Sequence, residues 1–252
     1  IHLALVLILP ILLASVIRKT KALMQGRPGP PFFQFLFDQL KRMRKGETVS
    51  SATSWFFAAN PLVALGSAFV LALVLPWTGA QPIAVGTGAA DLMLVIYLLG
   101  AARFFAILAA LDAGSAFGGL GGSRESLLSV LVEPAIVISL AAASLSSGTT
   151  DLSVALCGSI HVTVAILSGI AFLLASLAEL SRMPVDDPNT HLELTMIHEA
   201  TILENSGRNL GLIELSVALR TALFFGIGVR LLLAGLTPGL SSGLASVTIS
   251  LF

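Results

Sequence analysis

The sequence predicts an all-α fold, a polytopic bundle of membrane-spanning helices. Of its 252 residues, 56% are hydrophobic and only 11% are charged, a composition typical of multi-span membrane proteins rather than of soluble domains. The apolar runs are about 20 residues long, enough to cross a hydrocarbon core about 30 Å thick, and they lack the alternation of a β-barrel. We therefore expect residues 1–252 to form a single membrane domain with six or seven spans.

Six apolar runs are predicted to be helices, at residues 2–17, 58–77, 91–111, 126–146, 153–178 and 209–234. Turn-forming residues separate several of them, at 76–79, 118–122, 146–148 and 237–239. A seventh helix is predicted to begin near residue 240, and we expect eight spans in the full protein. Residues 32–45 form a basic amphipathic pattern. This pattern predicts a helix that lies in the membrane interface or packs on neighbouring spans.

Lys and Arg residues lie in alternate loops. They are frequent between the first two helices, and Arg124, Arg182 and Arg208 follow the third and fifth helices. The loops at 78–90, 147–152 and 235–240 contain none. The positive-inside rule therefore predicts that the N-terminus lies outside and that loops 18–57, 112–125 and 179–208 lie in the cytoplasm.

A polar, acidic segment at residues 182–204 interrupts the apolar pattern and is the first candidate site. It is predicted to be helical over 189–204, because Pro188 suits a first helical turn. Titratable groups near a membrane are costly, which favours a functional role over a merely solvated loop. The segment contains Asp186, Asp187, His191, Glu193, His198, Glu199 and Glu204.

No metal site is expected in this chain. His198 and Glu199 begin a zinc-protease pattern, but Ile202 occupies the second histidine position. His191 and His198 would be about 10 Å apart along a helix. The single cysteine, Cys157, excludes a disulfide framework and a cysteine-held iron–sulfur cluster.

Charged residues inside the predicted spans are the second candidate site. Arg103 and Arg220 are predicted near mid-membrane, and Glu133 precedes Pro134, which frees a backbone carbonyl. Burial of an ion costs roughly several kcal/mol of desolvation free energy unless the ion is paired or hydrated. We therefore predict a hydrated acidic and basic cluster that forms a proton path, the alternative being static ion pairs. Further carboxylates lie towards the cytoplasmic ends of these helices, namely Asp112, Glu125, Glu179 and Glu214.

Several motifs along residues 10–235 carry a resemblance to a known family. They are Met24 to Pro30, Leu111 to Phe117, Gly122 to Glu125, Leu131 to Pro134, Pro184 to Pro188 and Glu204 to Gly207. Together they resemble the subunit that joins the membrane arm to the hydrophilic arm in respiratory complex I (its H subunit) and in group 4 membrane-bound hydrogenases. The pattern is most like the formate hydrogenlyase subunit 4 and hydrogenase-4 branch. Val185 stands where the family commonly has Phe, and His191 where it commonly has Glu.

The resemblance implies a non-catalytic connecting subunit in a bacterial or archaeal cytoplasmic membrane. Its expected partners are an iron–sulfur small subunit, a [NiFe]-hydrogenase large-subunit-like chain and antiporter-like membrane subunits, with no nucleic acid. The chain itself would bind no cofactor, whereas [4Fe-4S] clusters and Ni–Fe would belong to the partners. Arg27 and the 182–208 segment would dock the hydrophilic arm. The alternatives are the quinone-binding subunit of a complex I-type reductase, a stand-alone transporter and an inert anchor.

Overall fold

The protein is described here by a computed structural model that covers residues 1–78, 90–158, 160–186 and 196–236, with backbone only at 235 and 236. These residues form helices throughout, as the sequence predicts, with no named strand among them. In chain order the helices are α1 (His2–Met24), α2 (Gln34–Met43), α3 (Trp55–Val74), α4 (Leu92–Asp112), α5 (Ala116–Ser147), α6 (Leu152–Ala155), α7 (Val162–Glu179), α8 (His198–Ile202) and α9 (Gly207–Leu236).

Six of these helices are long and apolar enough to cross a membrane, namely α1, α3, α4, α5, α7 and α9. The six predicted spans are therefore confirmed, whereas the possible seventh lies outside the described residues. The main core joins α3, α4, α5, α7 and α9. Its interior is aromatic and aliphatic, and the rings of Phe172 and Phe224 pack with centroids 5.5 Å apart. Side chains pointing away from this core are often exposed and apolar, as on α5 at Leu127 and Ile138.

The spans alternate in direction, so the charged loops meet at one end of the bundle. There the backbone N–H of Thr48 donates to Ser206 Oγ at 2.8 Å, and that of Ser54 donates to Asp112 Oδ2 at 2.6 Å. At the opposite end the segments at Asp91 and Asp151 pair through their backbones. The predicted grouping of the loops agrees with this arrangement, and the side that faces the cytoplasm stays a prediction.

The glycine-rich run at 118–122 is helical, and its prediction as a break between spans was wrong. Helix α5 runs through it without interruption, beginning where Ser115 Oγ accepts the N–H of Gly118. Helical glycine lets two backbones approach closely, which compensates its low helix propensity. A Cβ on Gly121 would lie 2.7 Å from the backbone nitrogen of Thr201, so the run brings α5 against α8.

Two other predicted helices differ from the structure. The predicted helix at 153–178 is divided into α6 and α7, because the chain turns at Gly158, whose N–H donates to Val154 O at 2.8 Å. The sequence carries a turn signal here, Gly158 followed by Ser159, but the signal is short and lies between long apolar runs, so the prediction passed over it. Of the predicted helix at 189–204, the structure contains α8, and residues 187–195 lie outside the described ranges.

The predicted amphipathic helix is present as α2 and packs on the spans. Phe35 and Gln39 are buried on its inner side, against α1 and α9. Arg42 of α2 donates to Glu214 of α9, and Arg208 Nε donates to Met43 O at 3.3 Å. Packing on neighbouring spans, one of the two predicted alternatives, is therefore observed.

Candidate functional site

Five charged side chains from four spans meet inside the bundle and form the buried ion cluster: Arg103, Glu125, Glu133, Glu179 and Arg220. Arg103 Nε lies 3.5 Å from Glu125 Oε1 and 3.7 Å from Glu133 Oε1, and its Nη2 donates to Glu179. Arg220 Nη2 donates to the other oxygen of Glu179 at 2.6 Å. All five were predicted as site residues, and the structure brings them together.

The cluster contains more carboxylates than cations. Arg103 and Glu179 are almost fully buried, with side chains 3% and 2% exposed, whereas Glu133 is 41% exposed. Pairing of buried ions offsets the desolvation that each would otherwise suffer. Three carboxylates face two guanidinium groups, so full ionisation leaves one negative charge without a cationic partner inside the cluster. A proton is the smallest cation that could balance this charge.

A small polar cavity of about 60 Å³ adjoins the cluster and reaches α8. Among the described side chains, the buried atoms Asn60 Oδ1, Arg103 Nη1 and Arg220 Nε have no hydrogen-bond partner. The residues that carry all three atoms line this cavity, together with His198. Its volume suits a few water molecules, and buried polar groups without protein partners are normally satisfied by water.

A second, larger cavity of about 450 Å³ also adjoins the cluster and lies between α4, α5 and α7. Its walls are mainly apolar, and Glu133 and Glu179 are the carboxylates that line it. Because Glu179 also lines the polar cavity, it stands between the two spaces. Pro134, in the wall beside Glu133, has no N–H, which leaves the carbonyl of Val130 without its usual helical donor.

The loop before α8 is organised by Asp186, one of the predicted acidic residues. This buried carboxylate accepts the backbone N–H groups of Ile197 at 3.2 Å and His198 at 3.0 Å, the groups at the start of α8. Carboxylates favour such positions because the first N–H groups of a helix have no intrahelical acceptor. Burial lowers the pKa of His198 to about 4, with Asp186 opposing the change and Arg182 and Arg220 adding to it. His198 is therefore neutral at pH 7.

The remaining predicted site residues lie apart from the cluster. Asp112 accepts the backbone N–H of Ser54, and Glu214 pairs with Arg42, so neither carboxylate forms an ion pair with the cluster among the described residues. Their part in a proton path stays a prediction. The sequence indicates how far along their helices Asp112 and Glu214 lie, but not the face of the helix on which each side chain lies. Arg27, Glu199 and Glu204 are placed outside the cluster and all three are exposed. Asp187, His191 and Glu193 lie outside the described residues.

Sequence reasoning missed Asn60. This amide is buried in α3, immediately before Pro61, and its Oδ1 has no partner among the described residues, while the residue itself lines the polar cavity. An amide inside a membrane span is itself a signal of function or of interhelical bonding. In the part of the chain that the structure describes, no group of three or more His, Cys, Asp or Glu residues is arranged to hold a metal ion.

Comparison with known proteins identifies the family. The family model described as NADH dehydrogenase matches residues 1–252. The chain is 32% identical over 233 residues to hydrogenase-4 component C of Escherichia coli (strain K12), covering 90% of this chain and 72% of that protein. It is 30% identical to formate hydrogenlyase subunit 4 of the same organism, covering 83% and 68%. It is 29% identical to the H subunit of NADH-quinone oxidoreductase from Anoxybacillus flavithermus (strain DSM 21510 / WK1), covering 88% and 71%.

The fold is also shared with a solved structure, that of the membrane-bound sulfane sulfur reductase, an archaeal respiratory membrane complex. The TM-score is 0.75 at 21% identity, over 98% of this chain and 84% of the matched chain. Six candidate spans around a buried ion cluster define an integral membrane protein with polar groups deep in its interior. The chain belongs to the NADH dehydrogenase family of membrane subunits, which includes the hydrogenase-4 and formate hydrogenlyase components.

Proposed function

We propose that this chain is the connecting membrane subunit of a hydrogenase-like or complex I-like redox complex. It anchors iron–sulfur and catalytic-fold subunits and couples their electron transfer to the movement of protons or sodium ions. The observation that carries this proposal is the buried ion cluster, in which three carboxylates share two arginines within the membrane spans. An excess of buried carboxylates would not be expected in an inert anchor, because each ionised carboxylate has a high free-energy cost in the hydrocarbon region.

The docking surface in this proposal is the end of the bundle where the charged loops meet. Arg27 is exposed there and can offer a forked set of donors to an acidic partner. Residues 182–208 would contact the redox partner, with Asp186 and the exposed Glu204 responding to its charge; Glu193 and Asp187, predicted for the same role, lie outside the described residues. Because Asp186 holds the start of α8, a change at the loop reaches His198 directly.

The route into the membrane would begin at the polar cavity. His198 lines it, and Glu125 and Glu179 form its inner wall. Glu179 adjoins the larger cavity, where Glu133 is the more exposed carboxylate. A proton could thus pass from the loop to Glu133 through groups of graded burial, with Arg103 and Arg220 stabilising each ionised state. Short steps between hydrogen-bonded groups and water suit proton transfer.

Purification of the native complex in mild detergent, with mass spectrometric identification of its subunits and metals, tests the assembly. A nickel-containing large subunit would make this chain part of a hydrogenase. A nickel-free relative with bound quinone would make it part of a quinone reductase. Recovery of the chain alone, with solute flux after reconstitution, would contradict the proposal and favour a stand-alone transporter.

Replacement of Glu133 by glutamine tests the coupling. We expect Glu133→Gln to abolish ion translocation while the complex assembles and its electron transfer continues, because the amide cannot take up and release a proton at pH 7. The measurement is ion uptake by vesicles containing the purified complex, alongside its redox rate. Glu47→Gln removes the same charge from an exposed loop and should leave uptake unchanged. Full coupled translocation in Glu133→Gln would refute the proton route.

A further inference from the structure

Helix α2 has an outer face that the protein leaves uncovered. Phe33, at its N-cap, and Phe37 and Leu40 are 55%, 58% and 50% exposed. Their spacing of four and three residues places them in one stripe along the helix. The inner side of the same helix, with Phe35 and Gln39, is already packed against α1 and α9. The stripe is therefore a second apolar surface, one that the described part of this chain does not bury.

Cations lie at the C-terminal end of this stripe. Lys41 and Arg44 are exposed, and neither forms an ion pair with any other residue that the structure describes. Their helical positions continue the stripe, since Arg44 follows Phe37 by seven residues, or two turns. Residues 18–47 as a whole contain eight Lys or Arg and two Asp or Glu. One of those acids, Asp38, is already paired with Arg18.

We propose that the outer face of α2, formed by Phe33, Phe37, Leu40, Lys41 and Arg44, binds anionic phospholipids of the adjoining membrane leaflet. The segment connects two membrane spans, α1 and α3, so it lies at the level of the membrane surface. A phospholipid supplies both partners that the face requires, an acyl chain for the stripe and a phosphate for the cations.

The chemistry of the surroundings favours lipid over a soluble anion or a docked protein. A free anion would satisfy the cations but leave the stripe in water. Helix α1, on which α2 packs, also exposes apolar side chains near this end, including Val16, Ile17 and Leu23. The apolar exposure thus extends from a span onto α2, as expected for one lipid-facing surface. None of the five residues belongs to the buried ion cluster, so this proposal does not depend on the coupling route.

The test is lipid binding to the full chain in neutral detergent, measured by native mass spectrometry. The probes are phosphatidylglycerol and phosphatidylcholine with identical acyl chains. We expect the wild-type chain to prefer phosphatidylglycerol. Lys41→Gln/Arg44→Gln should weaken phosphatidylglycerol binding by about 25-fold, from roughly fivefold for each cation near an anionic surface, and leave phosphatidylcholine binding unchanged. The charge-conserving variant Lys41→Arg/Arg44→Lys should retain the preference.

Further measurements distinguish a bound phospholipid from a soluble anion or a protein partner. Phe33→Ser/Phe37→Ser should weaken binding of both lipids, and glycerol phosphate should not displace phosphatidylglycerol. Equal binding of the two lipids by the wild-type chain, or an undiminished preference in Lys41→Gln/Arg44→Gln, would overturn the proposal. A photo-crosslinking residue at Phe37 should capture phospholipid in the native complex. Capture of a soluble subunit there would instead assign this face to a protein partner and overturn the lipid site.

Discussion

Glu179 occupies a position that no other residue of the buried ion cluster shares. Its two carboxylate oxygens accept from two different arginines, Arg103 of α4 and Arg220 of α9, and its side chain is 2% exposed. It also lines both cavities. Glu133 pairs with Arg103 at a longer distance and is partly open to the larger cavity. The charge of Glu179 therefore contributes more to the stability of the bundle than that of Glu133. The same substitution should destabilise the chain more at Glu179 than at Glu133.

Glu179→Gln should destabilise the chain strongly, because Arg220 loses its one ion-pair partner among the described residues and Arg103 keeps only its longer contacts with Glu125 and Glu133. Loss of one partner from a buried ion pair typically costs about 3–5 kcal/mol. The measurement is the melting temperature of the purified chain in detergent. Glu133→Gln is the matched control, the same change at a more exposed carboxylate, and should lower the melting temperature much less. Equal melting temperatures for the two variants would show that Glu179 is not the electrostatic centre of the bundle.

For individual charged residues, the sequence indicated how deep each lies along its membrane span. It did not indicate the face of the helix from which each side chain points. Arg103, Glu133 and Arg220 were recognisable because ionised groups rarely occur within apolar runs. Their mutual contacts depend on how four helices rotate about their axes, and a one-residue change of face sends a side chain elsewhere. Asp112 and Glu214 illustrate this, since both lie near the predicted depth yet pair with Ser54 and Arg42.

Among the elements, the contact between α5 and α8 shows how the acidic loop is held beside the cluster. Gly121 lies directly against the backbone of Thr201, so any side chain at this position must displace α8. Gly119, two residues earlier in the same helix, faces open space. The two glycines offer a matched pair, because alanine is the better helix former at both positions.

Gly121→Ala should destabilise the chain by about 1–3 kcal/mol through overpacking against α8. Gly119→Ala should be neutral or stabilising, by up to about 1 kcal/mol, through helix propensity alone. Melting temperatures of the two variants check the difference, and protease cleavage of the loop around α8 should rise only in Gly121→Ala. If both variants melt at the wild-type temperature, close packing of α8 on α5 is not what holds the loop.

Element boundaries were the weakest part of the sequence prediction, for physical reasons. The existence of six spans followed from apolar length, and all six were confirmed. The glycine run was predicted as a break because glycine is a poor helix former in isolation, but tertiary packing reversed that preference. The turn between α6 and α7 contains Gly158 and Ser159, but long apolar runs on both sides outweighed this short turn signal in the prediction.

For the molecule as a whole, sidedness is the prediction that most affects function. In a chain with Cys157→Ser, a cysteine at exposed Thr150 should react with a membrane-impermeant thiol reagent in intact cells. A cysteine at exposed Glu47 should react only after permeabilisation, because the positive-inside rule places that loop in the cytoplasm. Labelling of the two sites is measured on the purified chain. The reverse pattern would place the docking end of the bundle outside the cell.

Glu179 has a consequence for the shape of the whole bundle. It is the last residue of α7, and through one carboxylate it fastens that helix to α4 on one side and to α9 on the other. Neutralisation of its charge would weaken both ion pairs at once, because both arginines pair with the same carboxylate. A proton arriving at this residue would therefore weaken the contacts of α7 with α4 and with α9 together, so that a chemical event at one side chain affects the packing of three spans.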